Sequence, residues 1–592
     1  MKHPADPRYR KSEPTDFIRT TVRRREFITS ALAIGGLAIA GCSSSSGNSG
    51  TSSSSGSGLS LISLTDVIAR GFDRDGPNTD PGFAEANYNT FDGLVAYPQP
   101  LTDGAFVPNF SAEIDQFVPL LAESWTQVNP KQWVVKLRQG VKSAAGNELT
   151  SADVIYTFAR AKSVSGSASN SWFLANVGGI LGDAPVLPNA PASAKVLANE
   201  VVALDKYTVQ FNLFAETGRL FMVALADTNL TIFDSVLMKK HATASDPWSH
   251  IWGNQNCAGF GPYTITTYKP GTQIVYEARQ NYYRAAPKYT RVITSAVTEP
   301  GSRVAALKVG QAQIAEYLDP ADLASLKSDS SVSLVGSYTN DIAFICLNYS
   351  YAPWNLPDNQ LLRQAVAYSI PYDDIVNLDY LGFARRMYSQ VPSTFDGYVA
   401  NMTYQTDLAK AKALLAQAGF PDGNGLAKYS SGLQFYYVAE RASLLEPVAN
   451  RIKTNLASIG VNITLQPLPQ SEFATKQLQT GDMPMSLFDF SSPSVPTASF
   501  LTKLLYQTPS TGGLVDPTHY SNKAFDALSI QAQSASGATY TSLVTQMQST
   551  LMNDLPTIPL VEVRPVLAMA NPITGWYQVL DATVPEYYYV TN

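Results

Sequence analysis

The chain has 592 residues and is poor in cysteine, histidine and charge. Its three cysteines, Cys42, Cys257 and Cys346, are too few and too far apart for a disulfide-rich scaffold or a CxxC pair. Only His241, His250 and His519 follow the first 41 residues, widely spaced, and no HExxH occurs. Solvated or capping histidines are expected, with no metal and no cofactor. GxSxG and GxxxxGK[ST] are missing too, and no acid pair marks a glycosidase dyad, so the sequence argues against an enzyme. Charged residues make up 15% of the chain, whose net charge is −6. Without its first 41 residues it holds 34 basic against 44 acidic side chains, a net −10, which excludes nucleic acid and a basic membrane-binding patch. No apolar run reaches the roughly 20 residues that span a bilayer.

What is present begins with an address. Arg23-Arg24-Arg25 precedes the apolar run 29–40, so residues 1–41 read as a signal peptide. The order Arg24-Arg25-x-Phe27-Ile28 resembles a twin-arginine export motif, an ordinary secretory signal being the alternative. Ile39-Ala40-Gly41-Cys42 resembles a lipobox, in which small residues let a peptidase cut before a lipidated cysteine. Residues 42–58 are then a Ser/Gly tether, too polar to bury a core, whose flexible part reaches roughly 22 Å.

The body is too long for one ordinary core, so two or more lobes are expected. Residues 59–64 read as a first strand. Trp133, Val135 and Leu137 alternate with Val134, Lys136 and Arg138 as a half-buried strand, and Tyr207, Val209, Phe211 and Leu213 repeat the pattern. Thr150-Ser151-Ala152-Asp153 reads as a capping box opening a helix. The segment 342–348 reads as a buried strand, 406–420 and 445–460 as amphipathic helices, and 461–465 as a strand. Gly259, Gly261 and Pro262 signal a turn. Cys257 and Cys346 either pair, as export permits, or pack as free thiols.

The segment 119–160, with LAESW, WVVKLRQGVKS and LTSADVIYTF, resembles the signature of the extracellular solute-binding proteins of peptide-type ABC importers, family 5. GFGPYTITTYKPGTQIVYEARQNYY (259–283), RVAALKVGQAQI (303–314), LRQAVAYSI (362–370), YSNKAFDAL (520–528) and LPTIPL (555–560) resemble further family segments in the family's order. The resemblance implies an α/β, two-lobed periplasmic-binding-protein-like fold (type II, cluster C-like) with mixed sheets. Expected boundaries are lobe I at 59–88, 235–305 and 555–592, an inserted subdomain at 89–234, and lobe II at 306–554. It implies a monomer that closes its lobes on a small-molecule or peptide ligand and delivers an oligopeptide or dipeptide to ABC permease subunits. The protein would be exported, and lipid-anchored through Cys42 at the outer face of the cytoplasmic membrane or in the periplasm.

Peptide-binding members hold the ligand's α-ammonium with an aspartate. In the matching stretch 488–501 that position falls on Ser492, with Asp489 the acid beside it and Phe490 and Ser491 between. A serine forgoes a charge-assisted bond worth roughly 1.5–3 kcal/mol. Either Asp489 substitutes, or the ligand is not a simple free peptide, which leaves a non-peptide solute such as an oligosaccharide or opine-like compound as the alternative and a secreted hydrolase as a more distant one. Arg441 sits near a carboxylate-gripping arginine of some members, or is a solvated loop residue. Tyr88, Phe260 and Asn348 complete the expected cleft contacts, Tyr88 being equally suited to helix packing.

Overall fold

The computed structural model describes residues 58–75, 81–102, 104–163, 174, 177–180, 197, 199–227, 230–356, 359–491, 495–511, 513–578 and 584–592. The signal peptide, Cys42, Ser492 and all but the last tether residue lie outside the described residues. Two mixed sheets organise the rest. The first has seven strands in the order Tyr263–Lys269, Gln273–Ala278, Tyr289–Ala296, Leu59–Thr65, Ile314–Ala315, Leu567–Ala570 and Val332–Val335. Its middle strand, Leu59–Thr65, runs parallel to both neighbours, while the remaining pairings are antiparallel. The second has six strands in the order Ala384–Arg386, Thr557–Val563, Asp341–Leu347, Met485–Ser491, Gln434–Val438 and Thr464–Leu468. Along Asp341–Leu347, every side chain from Ile342 to Leu347 is buried. An apolar run without alternation requires cover on both faces, and a central strand supplies it.

The second lobe begins and ends later than the sequence motifs suggest. Ile314–Ala315 and Val332–Val335 pair within the first sheet, so the chain crosses at 336–340 and not at 306. Thr557–Val563 pairs with Asp341–Leu347, so the return lies at 564–566 and not at 555. A strand's own residues show that it is a strand, but not which sheet receives it. The two crossings lie side by side: Arg564 Nε donates to the Gly336 carbonyl at 2.9 Å. A Cβ on Gly336 would stand 2.1 Å from the Pro565 carbonyl oxygen, so only glycine permits the approach.

Between the strands Leu59–Thr65 and Tyr263–Lys269 the chain builds a separate antiparallel sheet, ordered Ala122–Asn129, Gln132–Leu137, Thr208–Asn212, Val201–Asp205. Trp133, Val135 and Leu137 are buried and Lys136 exposed, the period-two pattern of a half-buried strand. The helix Ser151–Ser163 follows. Asp153 accepts the Thr150 amide at 2.7 Å, but the Thr150 hydroxyl donates to that same carboxylate at 3.1 Å, where a capping box would have it accept an amide. Two turns further on, Arg160 bonds Asp73 and Asp75 with all three side chains fully buried, and His250 Nδ1 stands 2.7 Å from Asp73. This ionic cluster fastens the insert to the first lobe. Burial alone would push Asp73 up; Arg160 and His250 hold its carboxyl below the usual range instead.

Gly259 and Gly261 do their work by proximity. A Cβ at either would come within 2.5 Å of the Thr90–Phe91 backbone, and the Gly261 amide donates to Thr90 O at 3.0 Å. The expected helices become Leu408–Gln417 and Ala442–Ser458, the latter starting before its predicted bound and accommodating Pro447. Cys257 and Cys346 are free thiols.

Candidate functional site

Met485–Ser491 lies between Asp341–Leu347 and Gln434–Val438 in the second sheet. Strand alternation separates its candidate residues. Phe490 turns to the face of Phe488, on which it stacks at 4.9 Å, and it meets Phe344 edge-on. Asp489 points to the other face, opposite Ala343 in register. Its carboxylate is 8% exposed and is met by the guanidinium of Arg441. Arg441 ends the 3-10 turn Ala439–Arg441 that follows the neighbouring strand, and is the N-cap residue of Ala442–Ser458. A cation at a helix N-terminus opposes the helix dipole by roughly 0.3–1 kcal/mol, so this arginine is not placed for the helix's benefit. Asp489 compensates it and raises the guanidinium's proton affinity. Tyr380, almost fully buried, borders the pair; burial and then Asp489 push its hydroxyl far up.

The pair sits at the seam between lobes. Two residues after Arg441, Ser443 Oγ donates to Asp319 Oδ2 at 2.8 Å. Asp319 caps Pro320–Leu326, a helix packed in the first-lobe cluster with Ala315, Val332 and Ala568. Asp319 and Asp341 both add negative potential at Arg441. Elsewhere the insert meets the second lobe through the Phe110–Phe395 edge contact at 6.2 Å and the Arg219–Asp396 ion pair at 3.6 Å.

The remaining candidates have other partners. Asn348, fully buried, donates to Gly481 O at 2.6 Å and Met483 O at 3.0 Å, and accepts the Ser350 amide. With its amide committed it is a structural clasp and not a ligand contact. Phe260 is wholly buried in the core formed by the insert and second lobe, so it too is a packing residue in this structure. Ser491 ends its strand. Tyr88 is 4% exposed and packs with Ala84, Tyr577 and Val584.

Tyr88 also helps to line a cavity of about 60 Å³, open to solvent. Its wall includes Asp92, Asp227, Arg284, Tyr577, Glu586 and Tyr589, all on the first lobe or the insert. Burial pushes Asp92 up to about 6 against the pull of Arg284 and Tyr282. Burial, with Asp92 adding to it, pushes Glu586 up to about 8, Arg284 opposing. Sequence reading missed this group, and missed Asp319, Tyr380 and Ser443. The only local signals were Asp92, directly after the aromatic Phe91, and the tyrosine run 587–589 near the C-terminus.

Comparison with known proteins places these features. The family model described as bacterial extracellular solute-binding proteins, family 5 Middle, matches residues 116–512, more than half of the chain. The probable D,D-dipeptide-binding periplasmic protein DdpA of Escherichia coli K12 is 25% identical over 520 residues, covering 86% of this chain and 91% of its own. Among solved structures, the Helicobacter pylori periplasmic binding protein DppA in complex with the peptide STSA superposes with a TM-score of 0.67 at 21% identity, covering 90% of this chain and 98% of its own. AgaA from A. tumefaciens R10, in complex with agropinic acid, gives a TM-score of 0.65 at 20% identity and covers 90% and 98%. The mixed two-sheet architecture is thus the two-lobed fold of periplasmic binding proteins, and the chain belongs to the bacterial extracellular solute-binding proteins, family 5.

Proposed function

We propose that this chain is the substrate-binding component of an ABC importer, taking up a peptide between its lobes and passing it to a membrane permease. The observation that carries the reading is the Arg441–Asp489 pair at the seam. A free peptide is zwitterionic. Its ammonium can take the place of Arg441 on the buried Asp489, and its carboxylate can take the place of Asp489 on Arg441. Each charge then changes partner without being left unpaired, which avoids the cost of several kcal/mol that an uncompensated buried charge carries. Lobe closure sequesters the ligand, and no bond is broken. Relatives that bind a dipeptide or a tetrapeptide by their descriptions support this ligand class. Tyr88 serves as a flanking wall, and Ser491 ends the strand that carries Asp489. Cys42 serves as the lipid-bearing anchor of a monomer held outside the cytoplasmic membrane.

Calorimetric titration with di- to pentapeptides and their N-acetylated forms tests the reading. N-acetylation is expected to weaken binding about tenfold or more, matching the loss of a charge-assisted bond of about 1.5–3 kcal/mol, and Asp489→Asn to abolish that difference. Equal affinity for free and acetylated peptides would remove Asp489 from the ammonium role. Binding of sugars or opines in place of peptides would favour the second reading, a non-peptide solute, which the structural likeness to the agropinic acid complex supports.

A further inference from the structure

The first-lobe cavity has more acid than its own cations balance. Asp92 and Glu586 line it, and Arg284 is the one basic side chain among the described residues of its wall. Arg284 is already engaged: its guanidinium lies 4.4 Å from the ring centre of Tyr588 and 5.5 Å from that of Tyr589, and bonds the Tyr589 hydroxyl. Asp92 receives a hydrogen bond from Tyr282 at 2.9 Å, which carries no charge. A second observation is independent of charge. Tyr97, also in the wall, is 5% exposed, and its hydroxyl has no hydrogen-bond partner among the described residues. A buried hydroxyl left so is costly unless something enters to accept or donate. The side chains of Tyr88, Tyr577 and Tyr589 also line it, Tyr577 and Tyr589 stacked on each other at 4.2 Å.

We propose that this cavity is a subsite for a cationic group of the ligand, a lysine-like ammonium or an arginine-like guanidinium, held by Asp92 and Glu586 beside the hydroxyl of Tyr97. The proposal rests on the solute-binding reading and narrows its ligand class to basic solutes. Without a ligand, protons stand in for the absent cation. Burial raises Asp92 to about 6 and Glu586 to about 8, and the groups facing them are Arg279, Arg284, Tyr282 and Tyr283 for Asp92, and Asp92 and Arg284 for Glu586. A cation entering between them favours the ionised carboxylates, so binding expels protons and affinity rises with pH across the range where these acids ionise. The wall is also wired to the crossing between lobes. Gln578 Nε2 donates to Ser337 O at 2.6 Å, and its Oε1 accepts the Ser337 amide at 3.1 Å. Occupancy of the cavity therefore bears on the segment about which the lobes move.

The test is titration calorimetry of the whole body with Ala-Lys-Ala, Ala-norleucine-Ala and agmatine, each in phosphate and in Tris at neutral pH. The lysine peptide is expected to bind about tenfold tighter than the norleucine peptide, with an enthalpy that differs between buffers because protons are released. Its affinity is expected to rise as the pH goes from about 5 to about 8. In a D92N/E586Q double variant the tenfold preference is expected to fall below about threefold while norleucine-peptide affinity is kept. Equal binding of the two peptides, or no buffer dependence in the wild type, would overturn the subsite and leave the peptide reading standing. Binding of agmatine with neither peptide bound would support the subsite and overturn the peptide reading. No binding of any of the three would overturn the subsite.

Discussion

A single residue can carry much of an interface when it is buried and charged. Arg160 bonds two carboxylates with no exposed atom among the three side chains, whereas Arg291 pairs with Glu277 at 2.9 Å with about half of its surface in water. Replacing Arg160 by Met is expected to cost about 3–5 kcal/mol, because Asp73 and Asp75 lose their compensation in a dry site. Arg291→Met is expected to cost less than about 1 kcal/mol, because water already screens that pair. Urea denaturation of both variants measures the difference, and equal midpoints would show that the cluster does not hold the insert in place. None of this was legible in the sequence. Asp73 and Arg160 are far apart along the chain, and although Arg160 closes the segment 119–160, nothing in that segment marks it as the partner of an acid. Arg441 and Asp489 were legible one at a time, by their positions in family segments, but not as partners. Whether a charge is available to a ligand or already answered depends on what folding brings beside it.

At the scale of the element, glycines separate local from tertiary causes. Gly261 lies against the Thr90–Phe91 backbone, where a Cβ would stand 2.5 Å from Phe91 N. Gly301 lies exposed in the first turn of Pro300–Lys308 with nothing within 4 Å of a Cβ. Gly261→Ala is expected to destabilise by about 1–3 kcal/mol through forced separation of two segments. Gly301→Ala is expected to stabilise by about 0.5 kcal/mol through helix propensity. Thermal melts decide, and a neutral Gly261→Ala would mean that the segments separate freely. Elements whose signal is local were read well: the alternation through Trp133–Leu137 and the apolar run ending at Leu347. The turn at 259–262 was read as a demand on backbone angles, and proved to be a demand for closeness to a segment about 170 residues earlier.

Over the whole molecule, buried acids set the response to pH. Glu85 accepts bonds from Thr294 and Tyr587, and burial raises it to about 7. Glu316, bonded by Ser63, is raised further by burial and then by Glu85 and Asp66 nearby. A carboxyl whose folded pKa lies above its unfolded value gives stability that is complete below the unfolded pKa and is lost as pH rises through the folded one. For Glu85 that window runs from the ordinary glutamate value of 4.5 to about 7. His250, raised by its bond to Asp73, acts in the same direction above 6.5. Asp73, held low, acts oppositely and only at strongly acid pH. The unfolding midpoint is therefore expected to fall from about pH 5 to about pH 8, and to fall less in Glu85→Gln; a midpoint that rises over that range would contradict the assignment.

The sequence by itself determined the composition class, the order of elements and the family. Hydropathy period, capping residues and local motifs act within a few residues, and they survive in the string. The tertiary structure decided where the chain passes between lobes, because a strand's sheet is chosen by its pairing partners: Val332–Val335 joined the first sheet and Thr557–Val563 the second, against the expected boundaries. It also decided which polar residues are spoken for. Asn348 was taken up by the loop carbonyls at Gly481 and Met483, and Asp489 was met by Arg441. Asp92 and Glu586, almost 500 residues apart, came to share one cavity. Desolvation and charge pairing depend on three-dimensional neighbours, and those are the quantities that make a side chain a binding group.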